Sequence, residues 1–224
     1  MATAAASSRS VLIAGATGLV GRELLSLLLA SPQVEAVHVL LRRAAALPAD
    51  PRIHPHEVNF DALPALPPVD DVLIALGTTI KAAGSQAAFR RVDFDAVVNT
   101  ARAGRAAGAS RLAVISALGA DAGSRVFYNR VKGEMQDAVA RLGYRSVLIA
   151  QPSLLVGDRG ALGQPHRPGE AWAMRVLKPV LRVVPRRIRP VEARAVARAV
   201  VATLGEDIEG LRVLSSAQMQ RYAA

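Results

Sequence analysis

Apolar residues along this chain fall into short unbroken runs, separated by segments in which they recur every three or four positions. Ser10 to Ala14 (SVLIA) is an unbroken run ending at Gly15, and Leu19 to Leu29 then carries leucine and valine at helical spacing. The pair predicts a strand, a glycine turn and a helix. Val34 to Leu41 predicts a second strand, Ile53 to Val58 a weaker third and Val72 to Leu76 a fourth. Prolines between Asp61 and Pro68 forbid a long helix before the fourth. Gln86 to Ala107 predicts one helix, with Phe89, Val92, Ala96 and Val97 on one stripe and Gly108 just past its end. Arg111 to Ile115 predicts the fifth strand, Arg125 to Leu142 a helix stopped by Gly143, and Ser146 to Ala150 a sixth strand stopped by Pro152.

Unbroken apolar strands alternating with helices require crossover connections, and these give a parallel sheet covered on both faces. The expected fold class is α/β, a doubly wound parallel sheet of Rossmann type. Beyond Pro152 the alternation breaks. Residues 157–169 hold four glycines and two prolines, after which Glu170 to Val184 and Val191 to Leu204 predict two helices joined by PRRIRP. These read as a small C-terminal helical cap on the substrate side. Leu211 to Leu214 predicts a last strand and Ala217 to Tyr222 a terminal helix. With no internal repeat and no linker, residues 1–224 are expected to form one domain, with 157–204 contributing the cap.

Composition narrows the chemistry. Of 224 residues, 51% are hydrophobic and 21% charged, the balance of a packed globule and not of a disordered chain. The absence of cysteine excludes a disulfide scaffold, an iron-sulfur cluster, a thiolate zinc site and a cysteine nucleophile. His38, His54, His56 and His166 lack the HExxH spacing, so no metal is expected. No apolar run approaches the roughly 18 residues of a membrane span, which predicts a soluble protein without one. Met1 to Ser10 is small and polar with no basic segment before an apolar stretch, so cytoplasmic residence is expected. A net charge of +10 admits nucleic acid, anionic lipid or phosphorylated small molecules as partners. Aromatics are only 4% of the chain and no nucleic-acid-binding pattern appears, so nucleic acid is not expected. Oligomerisation is left open.

The first turn reads Gly15-Ala16-Thr17-Gly18-Leu19-Val20-Gly21. After a strand and before a helix, Gly15 permits a tight turn, Gly18 lets backbone approach a pyrophosphate, and Gly21 lets the helix pack on the strand. Where a carboxylate after the second strand would grip the ribose of NAD, this chain has Arg42 and Arg43, which favours the 2'-phosphate of NADPH. Asp61, after the third strand, is either an adenine contact or a turn residue. Tyr128 and Lys132 are four apart on one predicted helix and so share a face. Ser116 lies at the end of the fifth strand, where doubly wound folds bind their ligands. The three form a candidate hydride-transfer site. Lys132 is expected to lower the tyrosine pKa and hold the nicotinamide ribose, Tyr128 to pass the proton, and Ser116 to hold a substrate carbonyl.

GATGLVG, the Ser116 to Tyr128-Asn-Arg-Val-Lys132 arrangement and Gln151-Pro-Ser after the sixth strand resemble the short-chain dehydrogenase/reductase superfamily in its atypical extended branch. Leu76-Gly-Thr-Thr79, the Arg91-Val-Asp93 helix and Ile115-Ser-Ala-Leu-Gly-Ala120 are similar to the subgroup of the Tat-interacting, NADPH-binding tumour suppressor oxidoreductase and its bacterial relatives. The resemblance covers about residues 10–160 and is looser in the cap. It implies NADPH, a turn of Leu76, Gly77, Thr78 and Thr79 along the cofactor, and Pro152, Ser153 and Leu155 beside the nicotinamide. Ala117 departs from relatives that carry a second serine there, which leaves Ser116 as the sole hydroxyl. Three readings stay open: a reductase or epimerase-like oxidoreductase of a carbonyl or alcohol, an NADPH-binding redox sensor with a protein partner, and a basic surface-binding protein on a Rossmann scaffold. Between Arg175 and Arg198 eight basic residues face Glu192 alone. That run is a basic lid selecting an anionic substrate, a surface patch, or simply a solvated face.

Overall fold

A computed structural model describes residues 8–156, 185 and 187–223. Strands β1 (Arg9–Ala14), β2 (Val34–Leu41), β3 (Ile53–Glu57), β4 (Asp71–Ile74), β5 (Arg111–Ile115), β6 (Ser146–Gln151) and β9 (Gly210–Ser215) form one sheet in the order β3-β2-β1-β4-β5-β6-β9. Every pairing in it is parallel. The order reverses between β1 and β4, the switch point at which doubly wound sheets open a crevice at their carboxyl ends. Strands β7 (Leu155–Val156) and β8 (Val191–Glu192) pair separately.

The unbroken apolar runs arise because both faces of the sheet are covered. Val11, Ile13, Leu73, Ala113, Leu148 and Leu214 point to one layer, which is packed by α1 (Leu19–Ala30) and by a late helix, Ala193–Gly205. Leu12, Ala14, Val72, Ile74, Val114 and Ile149 point to the other. That layer holds α2 (Ile80–Ala83), α3 (Gln86–Arg90), a π-helical segment Arg91–Ala96, α4 (Val97–Ala106) and α5 (Phe127–Ala140). The single helix predicted over 86–107 is therefore divided, its middle wound with the wider π-helical pitch. The late helix, α6, is followed by β9, α7 (Ser216–Met219) and a 3-10 turn.

Glu170 to Val184, predicted as the first cap helix, lies outside the described residues. The second cap helix is α6, and it packs on the sheet beside α1. Ala195, Val196, Ala197, Ala199 and Val200 are all buried. A helix apolar on most of its circumference belongs in a core, so α6 is the crossover from β6 to β9 and not a lid. Among the described residues no helix is long and apolar enough to cross a membrane, and no cluster of three potential ligands could hold a metal ion.

Candidate nucleotide and active site

The glycine turn is built at backbone contact distance. Gly15 has φ +87°, in the region that favours glycine, and a Cβ there would lie 2.5 Å from the Ala75 carbonyl oxygen just past β4. The Gly18 amide donates to the Gly15 carbonyl at 3.0 Å and closes the turn. A Cβ on Gly21 would coincide with that same carbonyl oxygen. Gly18 is the N-cap of α1 and caps it with no side chain, and the first turn carries no acidic residue. Its amides and the positive end of the helix dipole are thus available to an anion. This cradle, in which Gly15 and Gly21 leave no space for a Cβ, fits a dinucleotide pyrophosphate. Ala16 and Val20 are buried beneath it, Leu19 half-buried and Thr17 exposed.

Arg42 and Arg43 stand exposed just past β2 and join no ion pair among the described residues. An open cavity of about 550 Å³ adjoins the turn, lined by Ala16, Thr17, Arg22, Ser26 and the loop of Ala46, Leu47 and Pro48. Asp61 is exposed in a turn opened by Asn59, whose side chain accepts the Asp61 amide at 3.0 Å.

Tyr128 and Lys132 lie one turn apart on α5. Lys132 is only 3% exposed, and its Nζ sits 2.7 Å from Oδ1 of Asp93, which is wholly buried in the π-helical segment. The approach is out of line for a hydrogen bond, so the two are held as an ion pair. The other carboxylate oxygen, Oδ2, accepts the Thr78 amide at 2.9 Å. A Cβ on Gly77 would lie 3.4 Å from Oδ1 and 3.8 Å from Lys132 Nζ. The turn of Leu76, Gly77, Thr78 and Thr79 thus meets Lys132 through Asp93, while Thr79 caps α2. The Tyr128 ring packs 5.3 Å from that of buried Phe89. Burial, and then the Asp93 charge, push the Tyr128 phenol above the ordinary tyrosine range. That is opposite to the lowering expected from Lys132 alone: burial is the larger cause of the rise and the Asp93 charge adds to it.

Ser116 is buried at the end of β5, and its hydroxyl accepts the Gln136 amide at 2.5 Å. Gln151 donates to Gln136 in turn at 3.0 Å. Gln136 is two helical turns past Tyr128, about 12 Å of rise, and no hydrogen bond joins Ser116 to Tyr128 among the described residues. The loops after β5 and β6 are laced together. Leu118 donates its amide to the Pro152 carbonyl at 2.8 Å, while Ser153 donates to the Arg189 carbonyl at 2.5 Å and meets Ser216 at 2.9 Å. Leu155 enters β7.

Of the basic segment, Arg175, Lys178, Arg182 and Arg186 lie outside the described residues. Arg189 stands by the β6 end through its carbonyl, whereas Arg194 and Arg198 ride on α6 on the α1 side of the sheet. The described part is therefore split between two places and forms no single lid. Asp93, Gln136 and Gln151 are the polar groups to which reading by spacing gives no role. The signals for Asp93 are its place in the Arg91-Val-Asp93 motif and a carboxylate inside an apolar helix stripe.

Residues 15–150 match a family described as NAD(P)H-binding. The mitochondrial protein Fmp52 of Emericella nidulans is 36% identical over 173 residues, which cover 73% of this chain and 72% of the relative. Its counterpart in Candida albicans is 30% identical over 161 residues, 67% and 69% of the two chains. Among solved structures, MoeE5 in complex with UDP-glucose and NAD superposes with a TM-score of 0.68 at 17% identity, covering 94% of this chain and 79% of that one. The Bordetella bronchiseptica enzyme WbmH in complex with NAD+ gives 0.66 at 15% identity, covering 93% and 75%. These structures share the fold. The expectation of cytoplasmic residence is overturned by the sequence relatives, which are mitochondrial by name.

Proposed function

The chain belongs to the NAD(P)H-binding family together with the Fmp52 proteins, and from that premise we propose that it is an NADPH-dependent oxidoreductase of short-chain dehydrogenase/reductase type. Its substrate is a carbonyl or the corresponding alcohol, and kinship with the Tat-interacting subgroup is the finer form of this reading. The observation that supports it is the meeting of Lys132 with the Leu76–Thr79 turn through Asp93, one helical turn from Tyr128, together with a glycine cradle that fits a pyrophosphate. A sensor has no physical need of the tyrosine.

Bound dihydronicotinamide supplies the hydride. The remaining chemistry belongs to the chain. Tyr128 donates the proton that the substrate oxygen needs, and solvent restores it. Lys132 offers ammonium protons to a ribose. The Ser116 oxygen accepts from Gln136, so its own O–H stays available to hold a substrate oxygen. Arg42 and Arg43 answer the 2'-phosphate, with charge-assisted hydrogen bonds that NADH cannot make.

Titration with NADPH and NADH, followed by nicotinamide fluorescence, is expected to show tighter NADPH binding. Arg42→Glu with Arg43→Glu is expected to erode the gap by a few kcal/mol at most, written as ~1.5–3 kcal/mol per lost charged hydrogen bond. Equal affinities in the parent would remove the NADPH assignment, and no binding of either would remove the oxidoreductase. Tyr128→Phe is expected to keep NADPH affinity and lower carbonyl turnover by about 10²- to 10⁴-fold. Full turnover in that variant refutes the role of Tyr128.

A further inference from the structure

A carboxylate with no solvent exposure is tolerated only where its charge is matched. Asp93 is such a group, and its two oxygens serve two different parts of the site. Oδ2 holds the Thr78 amide and Oδ1 faces the Lys132 ammonium, with Gly77 closing the corner at backbone distance. The residue stands in the π-helical segment, a winding that recurs at functional sites and here turns a polar side chain inward from an otherwise apolar stripe.

We propose that Asp93 is a positioning residue that clamps Lys132 to the Leu76–Thr79 turn and commits Tyr128 to donating its proton. The proposal rests on the oxidoreductase reading above. A lysine alone, one turn from a phenol, favours the phenolate. A lysine balanced by a carboxylate 2.7 Å away does not. The other charged groups on this side of α5, Arg90 of α3 and Arg130 and Glu134 of α5 itself, pair with one another. Phe89 completes an apolar wall against the ring. Burial raises the phenol above the ordinary tyrosine range, and the Asp93 charge raises it further.

In the reducing direction the Tyr128 O–H bond would break as an O–H bond forms at the substrate oxygen, and a bound dihydronicotinamide would supply the hydride, and so the two electrons, that the carbonyl carbon needs to become an alcohol carbon. Water would then return a proton to the phenolate. Alcohol oxidation needs the phenolate as base, so Asp93 moves that direction to alkaline pH without altering the overall equilibrium.

The test follows Tyr128 itself by carbon NMR of the full chain labelled at tyrosine Cζ. Three tyrosines report, and Tyr128→Phe assigns the one of interest. In the parent, Tyr128 is expected to titrate above the free tyrosine value of about 10. In Asp93→Asn, whose amide oxygen can still accept from Thr78, it is expected to become roughly tenfold or more acidic as Lys132 acts unopposed. An unmoved Tyr128 in folded Asp93→Asn overturns the proposal. Should that variant not fold, the parent decides alone: titration at or below the free value overturns it. NADPH binding to the parent, measured alongside, separates the two readings. Its absence tells against the oxidoreductase, whereas an unmoved Tyr128 in a protein that binds NADPH tells against Asp93 only.

Discussion

Gly21 and Gly205 are both helical glycines, and they show how position decides what a single methyl group does. At Gly21 the methyl would coincide with the Gly15 carbonyl oxygen, a backbone atom fixed by the turn it closes. At Gly205, the last residue of α6, it would meet nothing within 4 Å. Gly21→Ala is therefore expected to destabilise the protein by about 1–3 kcal/mol, as overpacking does, and to weaken NADPH binding by displacing the cradle. Gly205→Ala is expected to be neutral or to stabilise by up to ~1 kcal/mol, since alanine narrows the unfolded ensemble. Urea unfolding and nicotinamide fluorescence read both, and a Gly21→Ala protein as stable and as tight-binding as the parent refutes the packing argument. The glycines were legible in the sequence because a turn between strand and helix imposes a fixed spacing. Asp93 was not: its partner Lys132 lies 39 positions away and meets it only because the π-helical segment and α5 pack together.

At the scale of elements, the strands buried on both faces were readable as unbroken apolar runs, and β1, β2, β5 and β6 appear within a residue or so of expectation. The weaker third run became the edge strand β3, whose exposed and half-buried residues include His54 and His56. There the chain stores a pH dependence that spacing could not reveal, because it depends on register across two strands. His38 of β2 lies opposite His54, and its Nδ1 meets His56 Nε2 at 3.0 Å, while the His38 and His54 rings stack at 5.1 Å. One hydrogen bond joins His38 to His56 only while at least one ring keeps a bare nitrogen. Burial first, and then the neighbouring histidines, depress His38 and His56 below the usual imidazole value. The unfolded chain therefore takes up protons first as pH falls, so this contribution is whole above about 6.5 and is lost as acid is added below it. Urea midpoints are expected to fall between pH 7.5 and pH 5.5, and to fall less steeply in His38→Gln with His56→Gln. A double variant with the parent's slope would move the acid sensitivity elsewhere. The second cap helix lies elsewhere than expected for a related reason: the alanine and valine positions of 191–204 mark a buried helix, but periodicity alone does not say which surface buries it.

Across the whole molecule the two ends of the sheet carry different groups, the candidate site at one and a buried ion cluster at the other. The carboxyl ends carry the glycine cradle, the Leu76–Thr79 turn, Lys132 and Tyr128. The amino ends carry an ion cluster in which Arg111, opening β5, makes two hydrogen bonds to Asp71, opening β4, while Arg9 of β1 lies 3.7 Å from the Asp71 carboxylate and Asp207 lies 3.6 Å from the Arg111 guanidinium. Asp71 and Arg111 are both buried, and burial pushes the Asp71 carboxyl up even against the pull of Arg111. Such a pair is costly to break from one side, because the surviving charge stays buried without its hydrogen-bonded partner, Arg111 keeping only the exposed Asp207, at 3.6 Å, among the described residues. Asp71→Asn is thus expected to cost about 3–5 kcal/mol, and Asp71→Leu with Arg111→Met much less, since an apolar pair can replace a buried ionic one. Four residues of β4 separate this cluster from the Ala75 carbonyl that backs Gly15, about 13 Å at strand rise. A sheet that is hydrogen-bonded throughout holds its carboxyl ends in place whatever the charge state of its amino ends. Folded Asp71→Asn is therefore expected to bind NADPH with the parent's affinity while unfolding at lower urea. A large loss of affinity in that variant, measured well below its unfolding midpoint, would mean that the cluster and the nucleotide site are coupled through β4.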